Sequence, residues 1–235
     1  MTFLTPFIIS IIAAIVASCG VVSAIYFQKK FNLSFFVAFA AGMLISVSFT
    51  QIAPESFEIS HNAPFFLLAG YVAMFLIGQG VDLYVCNKPY NYSIGIVSII
   101  GIGFHSFIDG VVYSITFSHS TSLGLFAATG LIIHEFAEGM VTTVLLLKSG
   151  FDKKTALILA LLSSAITTPV GVIVSYPFIQ DIGENTLGLL LSVSAGALIY
   201  ISATHLLPHT HKEKHSIIGF IMGVLTMLLC SHSHL

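Results

Sequence analysis

The sequence predicts an all-α polytopic membrane protein with eight transmembrane helices arranged as inverted repeats. Of its 235 residues, 56% are hydrophobic and only 8% are charged. The mean hydropathy is +1.00, which lies outside the range of soluble globular proteins. The apolar residues fall into stretches of about 20, the length that crosses a bilayer as a helix. Two sequence phrases each occur twice along the chain, which predicts the repeats.

Eight apolar stretches are assigned as spans, and polar or turn-forming residues separate them. In order, the spans cover approximately residues 5–27, 34–52, 63–85, 92–117, 122–148, 155–176, 187–207 and 216–230. The eighth is short, so a count of seven spans is the alternative. Because no connection is long enough for a soluble domain, residues 1–235 are expected to form a single transmembrane domain.

The basic residues predict the orientation of the spans. The chain has eight lysines and no arginine, and all eight lie in connections one, three, five and seven: Lys29, Lys30, Lys88, Lys148, Lys153, Lys154, Lys212 and Lys214. Short loops rich in Lys or Arg stay on the cytoplasmic side. We therefore expect both termini outside the cytoplasm. The short loops favour a bacterial inner membrane.

One repeated phrase relates spans two and seven. Residues 41–55 recur as residues 195–209 with seven identical positions. The two spans cross the membrane in opposite directions, as do spans four and five, which share the other phrase. This pattern is typical of inverted repeats, here spans 1–3 against 6–8 and span 4 against span 5. Transporters that are built from inverted repeats bind their substrate near the midplane of the membrane, where the repeats meet.

The second phrase, His-x-Phe-x-acid-Gly, lies in the middle of spans four and five. It supplies His105 and Asp109 in one span, and His134 and Glu138 in the other. Residues four apart share one face of a helix. Ionisable groups at membrane depth are costly and usually functional. We therefore expect the four to form one cation site, whose imidazole and carboxylate ligands suit zinc, iron or manganese rather than Cu(I).

Other polar residues are predicted to have auxiliary roles. Glu135 points about 100° away from His134 on the same helix, and it could complete a neighbouring metal site or control access to the first. Gln51 and His205 occupy equivalent places in the other phrase, which suggests a pathway role. The alternative for all these groups is a buried hydrogen-bonded network. Two matched His/acid pairs favour a metal site over such a network, because burying ion pairs seldom stabilises a protein.

Composition also limits the partners. The net charge of −2 and the absence of a basic patch argue against nucleic acid. Three widely spaced cysteines, Cys19, Cys86 and Cys230, form neither a disulfide framework nor a CxxC metal motif. The expected partners are divalent metal ions and the lipid bilayer, and a homodimer is left open. No cofactor is expected, because the metal would be the transported substrate.

At these residues the chain resembles the ZIP family (Zrt/Irt-like) of divalent metal transporters. The family's fourth-span motif, His-Asn-x-x-(Asp/Glu)-Gly, is similar to residues 105–110, and its fifth-span motif, His-x-x-Pro-Glu-Gly, is similar to residues 134–139. Ser106 and Ala137 stand where these motifs have Asn and Pro, and Thr168 stands where some members carry Glu. The resemblance implies eight helices, external termini, and a transport site on spans four and five, with Ser106 as a pathway or auxiliary position.

The residues and the resemblance together predict a transporter that moves divalent metal into the cytoplasm by alternating access, and not an enzyme. Zinc is the first choice of metal, with iron and manganese as alternatives. Uptake should depend on pH, because metal displaces protons from its ligands. One alternative is an intramembrane metal-dependent hydrolase, since His134-Glu135 begins like His-Glu-x-x-His, although the fifth residue is Glu138. The other is a passive channel for the same ions.

Overall fold

The computed structural model describes residues 3–27, 33–84, 90–179, 183–210 and 214–232, and within these ranges it contains helices and no β-strand. The all-α prediction is therefore confirmed. The α-helices are α1 (Leu4–Phe27), α2 (Leu33–Val47), α3 (Ala53–Ile59), α4 (Ala63–Tyr84), α5 (Tyr90–His119), α6 (Thr121–Lys148), α7 (Lys153–Ala160), α8 (Thr167–Ser175), α9 (Glu184–Tyr200) and α10 (Lys214–His232). Helices satisfy every backbone polar group internally, as an apolar surrounding requires.

Among the residues that the structure describes, six helical stretches are long and apolar enough to cross a membrane. They are Leu4–Tyr26, Val37–Ile59, Ala63–Tyr84, Tyr92–Ser118, Lys153–Phe178 and Glu184–Thr204. The stretch His215–Leu229 of α10 is a shorter apolar helix, and α6 is not among the six. The prediction of a membrane protein with several spans is thus confirmed, whereas the count of eight stays a prediction.

The outer faces of the helices are apolar, and the interior contains buried polar residues among many apolar ones. Phe65 and Leu76 of α4 are 72% and 61% exposed, and Leu229 of α10 is 73% exposed. By contrast, Glu135 and Ser194 are fully buried. Exposed apolar surface of this extent suits contact with lipid tails, where no water competes for it.

In the part of the chain that the structure describes, three π-helical segments interrupt the α-helices. They are Ser48–Ile52 between α2 and α3, Leu161–Ile166 between α7 and α8, and Ile201–Leu206 after α9. A proline follows each segment within three residues: Pro54, Pro169 and Pro208. Because proline has no N–H, the carbonyl four residues earlier loses its partner. The wider π register, which pairs residues five apart, accommodates that loss.

The second predicted span is longer than expected because of this geometry. The sequence placed its end near residue 52, before Pro54, since proline commonly ends a helix. In the structure, α3 continues directly from the π-helical segment to Ile59. Pro54 lies in the first turn of α3, where its missing N–H breaks no hydrogen bond of that helix.

The two copies of the longer repeat share this local structure. Ser48 and Ser202, which occupy equivalent positions, both lie in π-helical segments. Each hydroxyl donates to the carbonyl four residues earlier, at 2.7 and 2.6 Å respectively. The carbonyl of each serine itself accepts the backbone N–H five residues later, from Ala53 and Leu207 respectively. The repeated sequence therefore adopts the same backbone geometry in both places.

A tight connection links α6 to α7. Gly150 adopts a φ of +89°, which L-residues with side chains rarely adopt, and it ends α6. The N–H groups of Gly150 and Phe151 donate to the carbonyls of Leu147 and Leu146, as in a Schellman motif. Asp152 then accepts the backbone N–H groups at the start of α7. This connection reverses the chain within four residues.

The helices form two groups that are held together internally by close backbone contacts. Group one comprises α1, α5, α6, α7 and α8. A Cβ on Gly20 or Gly139 would collide with a backbone carbonyl across the contact of α1 with α6. A Cβ on Gly110 or Gly171 would do the same between α5 and α8. Only glycine permits helices to approach this closely.

Group two comprises α2, α3, α4, α9 and α10, and it has the same kind of contacts. Gly42 and Gly223 lie against backbone carbonyls between α2 and α10, as do Gly70 and Gly196 between α4 and α9. Each described glycine in such a contact has its partner within its own group. Between the groups, Gly101 of α5 instead meets side-chain atoms from group two.

Candidate metal centre

Four ionisable side chains converge where α5 and α6 pack together. α5 provides His105 and Asp109, and α6 provides His134 and Glu138, each pair one helical turn apart. One ligand atom from each of the four lies within 4.8 Å of the others. All four residues are buried, with at most 4% of any residue exposed. The i, i+4 spacing places each pair on one face of its helix, and the packing of α5 against α6 brings the two faces together. We call these four residues the tetrad.

The shortest contacts of the tetrad run between the two helices. Nε2 of His105 lies 2.9 Å from Oε1 of Glu138, and Nε2 of His134 lies 2.9 Å from Oδ2 of Asp109. The contacts along each helix are longer, at 3.5 and 3.7 Å. Since the lower-numbered residue of α5 meets the higher-numbered residue of α6, the two helices are antiparallel here.

Several ligand atoms of the tetrad lack a hydrogen-bond partner. Nε2 of His105 and both carboxylate oxygens of Glu138 make no hydrogen bond. This holds although Nε2 of His105 lies only 2.9 Å from Oε1 of Glu138. Unpaired polar atoms are costly in an apolar interior. A cation held between them would satisfy these atoms. Two neutral imidazoles and two carboxylates carry two negative charges, which a divalent cation neutralises.

Ser194 of α9 orients one imidazole of the tetrad. Its Oγ lies 2.6 Å from Nδ1 of His105, and both residues are buried. Metal-binding histidines commonly donate from their second ring nitrogen to a fixed acceptor, which leaves the first nitrogen free to bind. With Nδ1–H donating to Ser194, Nε2 of His105 presents its lone pair to the tetrad. No local pattern singles out Ser194, because its partner His105 lies 89 positions away in the chain.

Glu135 lies outside the tetrad, in a second polar cluster between α5, α6 and the α7–α8 segment. Its Oε1 accepts from the hydroxyl of Thr168 at 2.9 Å. Thr168 in turn lies 3.1 Å from the hydroxyl of Ser106, which donates to the carbonyl of Ser164 at 3.2 Å. The other oxygen of Glu135 has no hydrogen-bond partner. Glu135 points away from His134, as expected, and its carboxylate reaches the hydroxyl of Thr168.

The two remaining candidates lie in equivalent π-helical segments. Gln51 is half-buried in Ser48–Ile52. His205 belongs to Ile201–Leu206, but its side chain lies outside the described part of the structure. Neither belongs to the tetrad. Their predicted role in the pathway therefore stays a prediction.

Comparison with known proteins connects this geometry to a family. A sequence model described as ZIP Zinc transporter matches residues 88–231, which include α5, α6, α9 and most of α10. The matched region contains all four residues of the tetrad, together with Ser194 and Thr168.

Two curated relatives are similar to this chain. A protein of Clostridium perfringens, described as zinc transporter ZupT, is 38% identical over 137 residues, which are 57% of this chain and 48% of that protein. A Streptococcus mutans protein of the same description is 30% identical over 254 aligned positions, covering 95% of each chain. The chain therefore aligns with about half of the first relative and with nearly all of the second. A family match over more than half of its length, and a relative matched along almost all of it, show that this chain belongs to the ZIP family of zinc transporters.

Proposed function

We propose that the protein moves a divalent metal ion, zinc first, into the cytoplasm through the tetrad of His105, Asp109, His134 and Glu138. The observation that carries this proposal is the convergence of four buried ligand atoms within 4.8 Å at a helix–helix contact. Imidazole and carboxylate ligands without thiolate suit zinc, and they also leave iron and manganese as alternatives. The relatives named as zinc transporters favour zinc.

The family membership decides between two of the classes considered from sequence. ZIP proteins are transporters, so the prediction that this chain is not an enzyme is confirmed. The hydrolase reading also needed a catalytic base next to the metal, and Glu135 instead bonds to Thr168. A passive channel would use the same residues as a transporter, and it is distinguished only by the flux that it supports.

Eight spans remain our proposal, and the direction of the helices supports it for α6. Ser106 of α5 contacts Ser164 in the α7–α8 segment, and Ser114 of α5 contacts Ser175 further along the same segment. Residue numbers increase in the same direction on both, so the two run parallel. Both are long and apolar enough to cross a membrane. The chain must therefore return between them, and α6 is the helix that connects them. Its 28 residues span about 42 Å, more than a bilayer core of about 30 Å.

The same reasoning supports α10 as the eighth span. Gly219 and Gly223 of α10 contact the carbonyls of Phe35 and Phe39 of α2, so these helices run parallel. α2 and α4 lie in consecutive candidate spans and must run in opposite directions. α4 runs parallel to α9, since Gly70 meets Val193 and Gly78 meets Tyr200. Thus α10 runs opposite to α9 and crosses back.

Inverted repeats are supported by matched glycine contacts. Gly110 and Gly139, which follow the two acids, each lie against a carbonyl of another helix of group one. The carbonyls of Phe107 and Phe136, equivalent residues of the same phrase, are in turn approached by glycines of α8 and α1. Equivalent residues therefore make equivalent contacts in both copies.

The longer repeat behaves in the same way. Gly42 of α2 lies against the carbonyl of Phe220 of α10, and its equivalent Gly196 of α9 lies against that of Leu67 of α4. If spans 1–3 are exchanged with spans 6–8, span two takes the place of span seven and span eight that of span three. The contact of Gly42 with α10 then corresponds to the contact of Gly196 with α4. This correspondence favours the pseudo-two-fold arrangement typical of alternating-access transporters.

Alternating access would arise from movement of group one relative to group two. Within each group, helices are in contact backbone to backbone at glycines, which resists sliding. Between the groups, contacts such as Ile201 and Met74 against Gly101 involve side-chain atoms, which can rearrange more readily. All four ligands of the tetrad belong to group one and would move with it.

Glu135, Ser106, Gln51 and His205 would have auxiliary roles on the path to or from the tetrad. Glu135 could accept a displaced proton or contribute to a neighbouring ion position, with Ser106 as a member of the same polar cluster. The segregation of lysines supports our proposal that both termini lie outside the cytoplasm, and the short loops favour a bacterial inner membrane. The question of whether two copies of the chain form a homodimer is left open.

Uptake of radioactive zinc into proteoliposomes tests the transport proposal. The native protein should give saturable uptake, and a His134→Ala, Glu138→Ala double variant should abolish it. Asp82→Asn, near the end of α4 and not a member of the tetrad, serves as a charge-removing control and should retain uptake. Absence of zinc flux, or equal flux in the double variant, would contradict the proposal. Flux that rises linearly with concentration without saturating would indicate a channel.

A further inference from the structure

A cluster of buried oxygen atoms surrounds Glu135, between α5, α6 and the α7–α8 segment. Its members are all 0% exposed, and we call them the oxygen cluster: Ser106, Tyr113, Glu135, Ser164 and Thr168. Hydrogen bonds already link four of them. Thr168 donates to Glu135 and lies 3.1 Å from the hydroxyl of Ser106, and Ser106 donates to the carbonyl of Ser164. Unlike the tetrad, these five residues offer oxygen ligands alone.

Tyr113 belongs to this cluster through the geometry of α5. Ser106, Gly110 and Tyr113 are three or four residues apart, so they share one face of the helix. Gly110 on that face lies against the carbonyl of Thr168. Long side chains of a helix point back towards its N-terminus, which directs Tyr113 over Gly110, where no side chain blocks it. Among the charged groups that act on the Tyr113 hydroxyl, Glu135 acts most strongly.

Two oxygens of the cluster have no hydrogen-bond partner. They are Oε2 of Glu135 and the hydroxyl oxygen of Tyr113, and both are buried. The other carboxylate oxygen of Glu135 accepts from Thr168 at 2.9 Å. Unpaired polar atoms are costly in an apolar interior, and most costly when they carry charge. A ligand that contacts both free oxygens would remove this cost.

The charges around Glu135 favour a cation as that ligand. The buried carboxylates of Glu138 and Asp109 are close enough to repel the carboxylate of Glu135. A divalent ion at the tetrad balances two negative charges, those of Asp109 and Glu138. The charge of Glu135 then remains, and an uncompensated charge at membrane depth is costly. A single positive charge beside Glu135 would balance it.

The ligand atoms favour a hard monovalent cation. Carboxylate, hydroxyl and carbonyl oxygens suit hard cations, whereas imidazole suits zinc. Glu135 is the one carboxylate of the cluster, because Thr168 stands where some family members carry Glu. The carbonyl of Ser164 lies in the π-helical segment Leu161–Ile166. In several transporters, backbone carbonyls at an interruption of a helix coordinate Na⁺.

We propose that the oxygen cluster binds one Na⁺ ion, which Glu135 and Tyr113 hold together with the three other oxygens. This inference rests on the auxiliary role proposed for Glu135, and it names the ion that this position takes. The Na⁺ ion would lie within group one and move with the tetrad, while the transported divalent ion occupies the tetrad itself. It gives Tyr113 a role as a ligand that neither repeated phrase of the sequence indicates.

Binding of radioactive sodium to the purified protein tests this proposal. The buffer contains a chelator and no zinc, and choline keeps the ionic strength constant. The native protein should bind Na⁺ saturably at one ion per chain, and Glu135→Gln should abolish binding. Tyr113→Phe keeps the ring and removes only the hydroxyl, so it should raise the Kd for Na⁺ by on the order of tenfold. Because a bound ion stabilises the folded state, replacing choline with Na⁺ should raise the thermal midpoint of the native protein but not that of Glu135→Gln.

Ser175→Ala is the matched control for the hydroxyl variants. Ser175 is buried at the same contact of α5 with α8, where it donates to Ser114, and it supplies no oxygen to the cluster. This variant should lose some stability but keep the native Kd for Na⁺. An equal loss of Na⁺ affinity in Ser175→Ala and Tyr113→Phe would overturn the role of Tyr113.

Three results would refute the sodium site. They are absence of saturable Na⁺ binding, equal binding by the native protein and Glu135→Gln, and zinc titration that displaces Na⁺ with two zinc ions bound per chain. The first would mean that water or a proton satisfies Glu135, and the third would make the cluster a divalent site. Since sodium binding is measured without zinc, its absence leaves the transport proposal standing. Loss of zinc uptake with sodium binding intact would refute the transport proposal alone.

Discussion

Replacing Ser194 with alanine should weaken zinc binding without removing any residue of the tetrad. The hydroxyl of Ser194 lies 2.6 Å from Nδ1 of His105, and both groups are buried. The change would leave the imidazole N–H without an acceptor, which costs about 1–3 kcal/mol in a buried site. Loss of a partner that orients a metal ligand lowers affinity by roughly 10- to 100-fold. Tenfold corresponds to about 1.4 kcal/mol, so we expect an increase in Kd of about tenfold.

Zinc titration calorimetry on the purified protein would measure this change, and Ser192→Ala is its matched control. Ser192 is equally buried on the same helix, but its hydroxyl donates to the carbonyl of Ala63, away from the tetrad. Both variants lose one buried hydrogen bond, so both should lose some thermal stability. Only Ser194→Ala should raise the Kd for zinc. Equal Kd values for the two variants would refute the orienting role of Ser194.

Three further changes test the site, the packing and one helix end. Asp109→Asn keeps the shape of the side chain but removes one of two negative charges of the tetrad, so saturable zinc uptake should fall roughly 10- to 100-fold. Gly139→Ala should destabilise the protein by about 1–3 kcal/mol, seen as a lower thermal midpoint, whereas Gly80→Ala, with nothing within 4 Å, should not. Hydrogen bonds from the Thr155 hydroxyl and from backbone N–H groups hold the pKa of Asp152 below its ordinary 3.8. Its stabilisation is therefore present above 3.8 and lost as pH falls through the lowered pKa, so Asp152→Ala should lower the thermal midpoint at neutral pH and have no effect in strong acid.

Helix positions were largely predictable because length and apolarity dominate at membrane depth. The predicted span 122–148 corresponds to α6, Thr121–Lys148, and the predicted span 92–117 lies within α5, Tyr90–His119. The π-helical segments were not predicted, because hydrophobic patterns do not record hydrogen-bond register. Pro54, Pro169 and Pro208 carried that signal, since each lies in or just after an apolar stretch and deprives the carbonyl four residues earlier of its α-helical partner.

The core of the site followed from local spacing, whereas its surroundings did not. Residues one turn apart must share a face, so His105 with Asp109 and His134 with Glu138 could be paired from sequence alone. Their role as metal ligands remains a prediction. Ser194 could not be found in this way, because its contact joins residues 89 positions apart. The resemblance to the ZIP family, drawn from the two short motifs, is confirmed by the comparisons.

The hydrogen bond between His105 and Ser194 gives the protein a means of linking its conformation to its affinity for metal. His105 belongs to group one and Ser194 to group two, so the bond exists only while α5 and α9 keep their present relation. If the groups shift during transport, His105 loses its acceptor while all four ligands remain with the ion. Affinity would then differ between the two states by the free energy of orienting one imidazole. By linkage, a bound ion would favour the state in which the bond is intact, to the same extent.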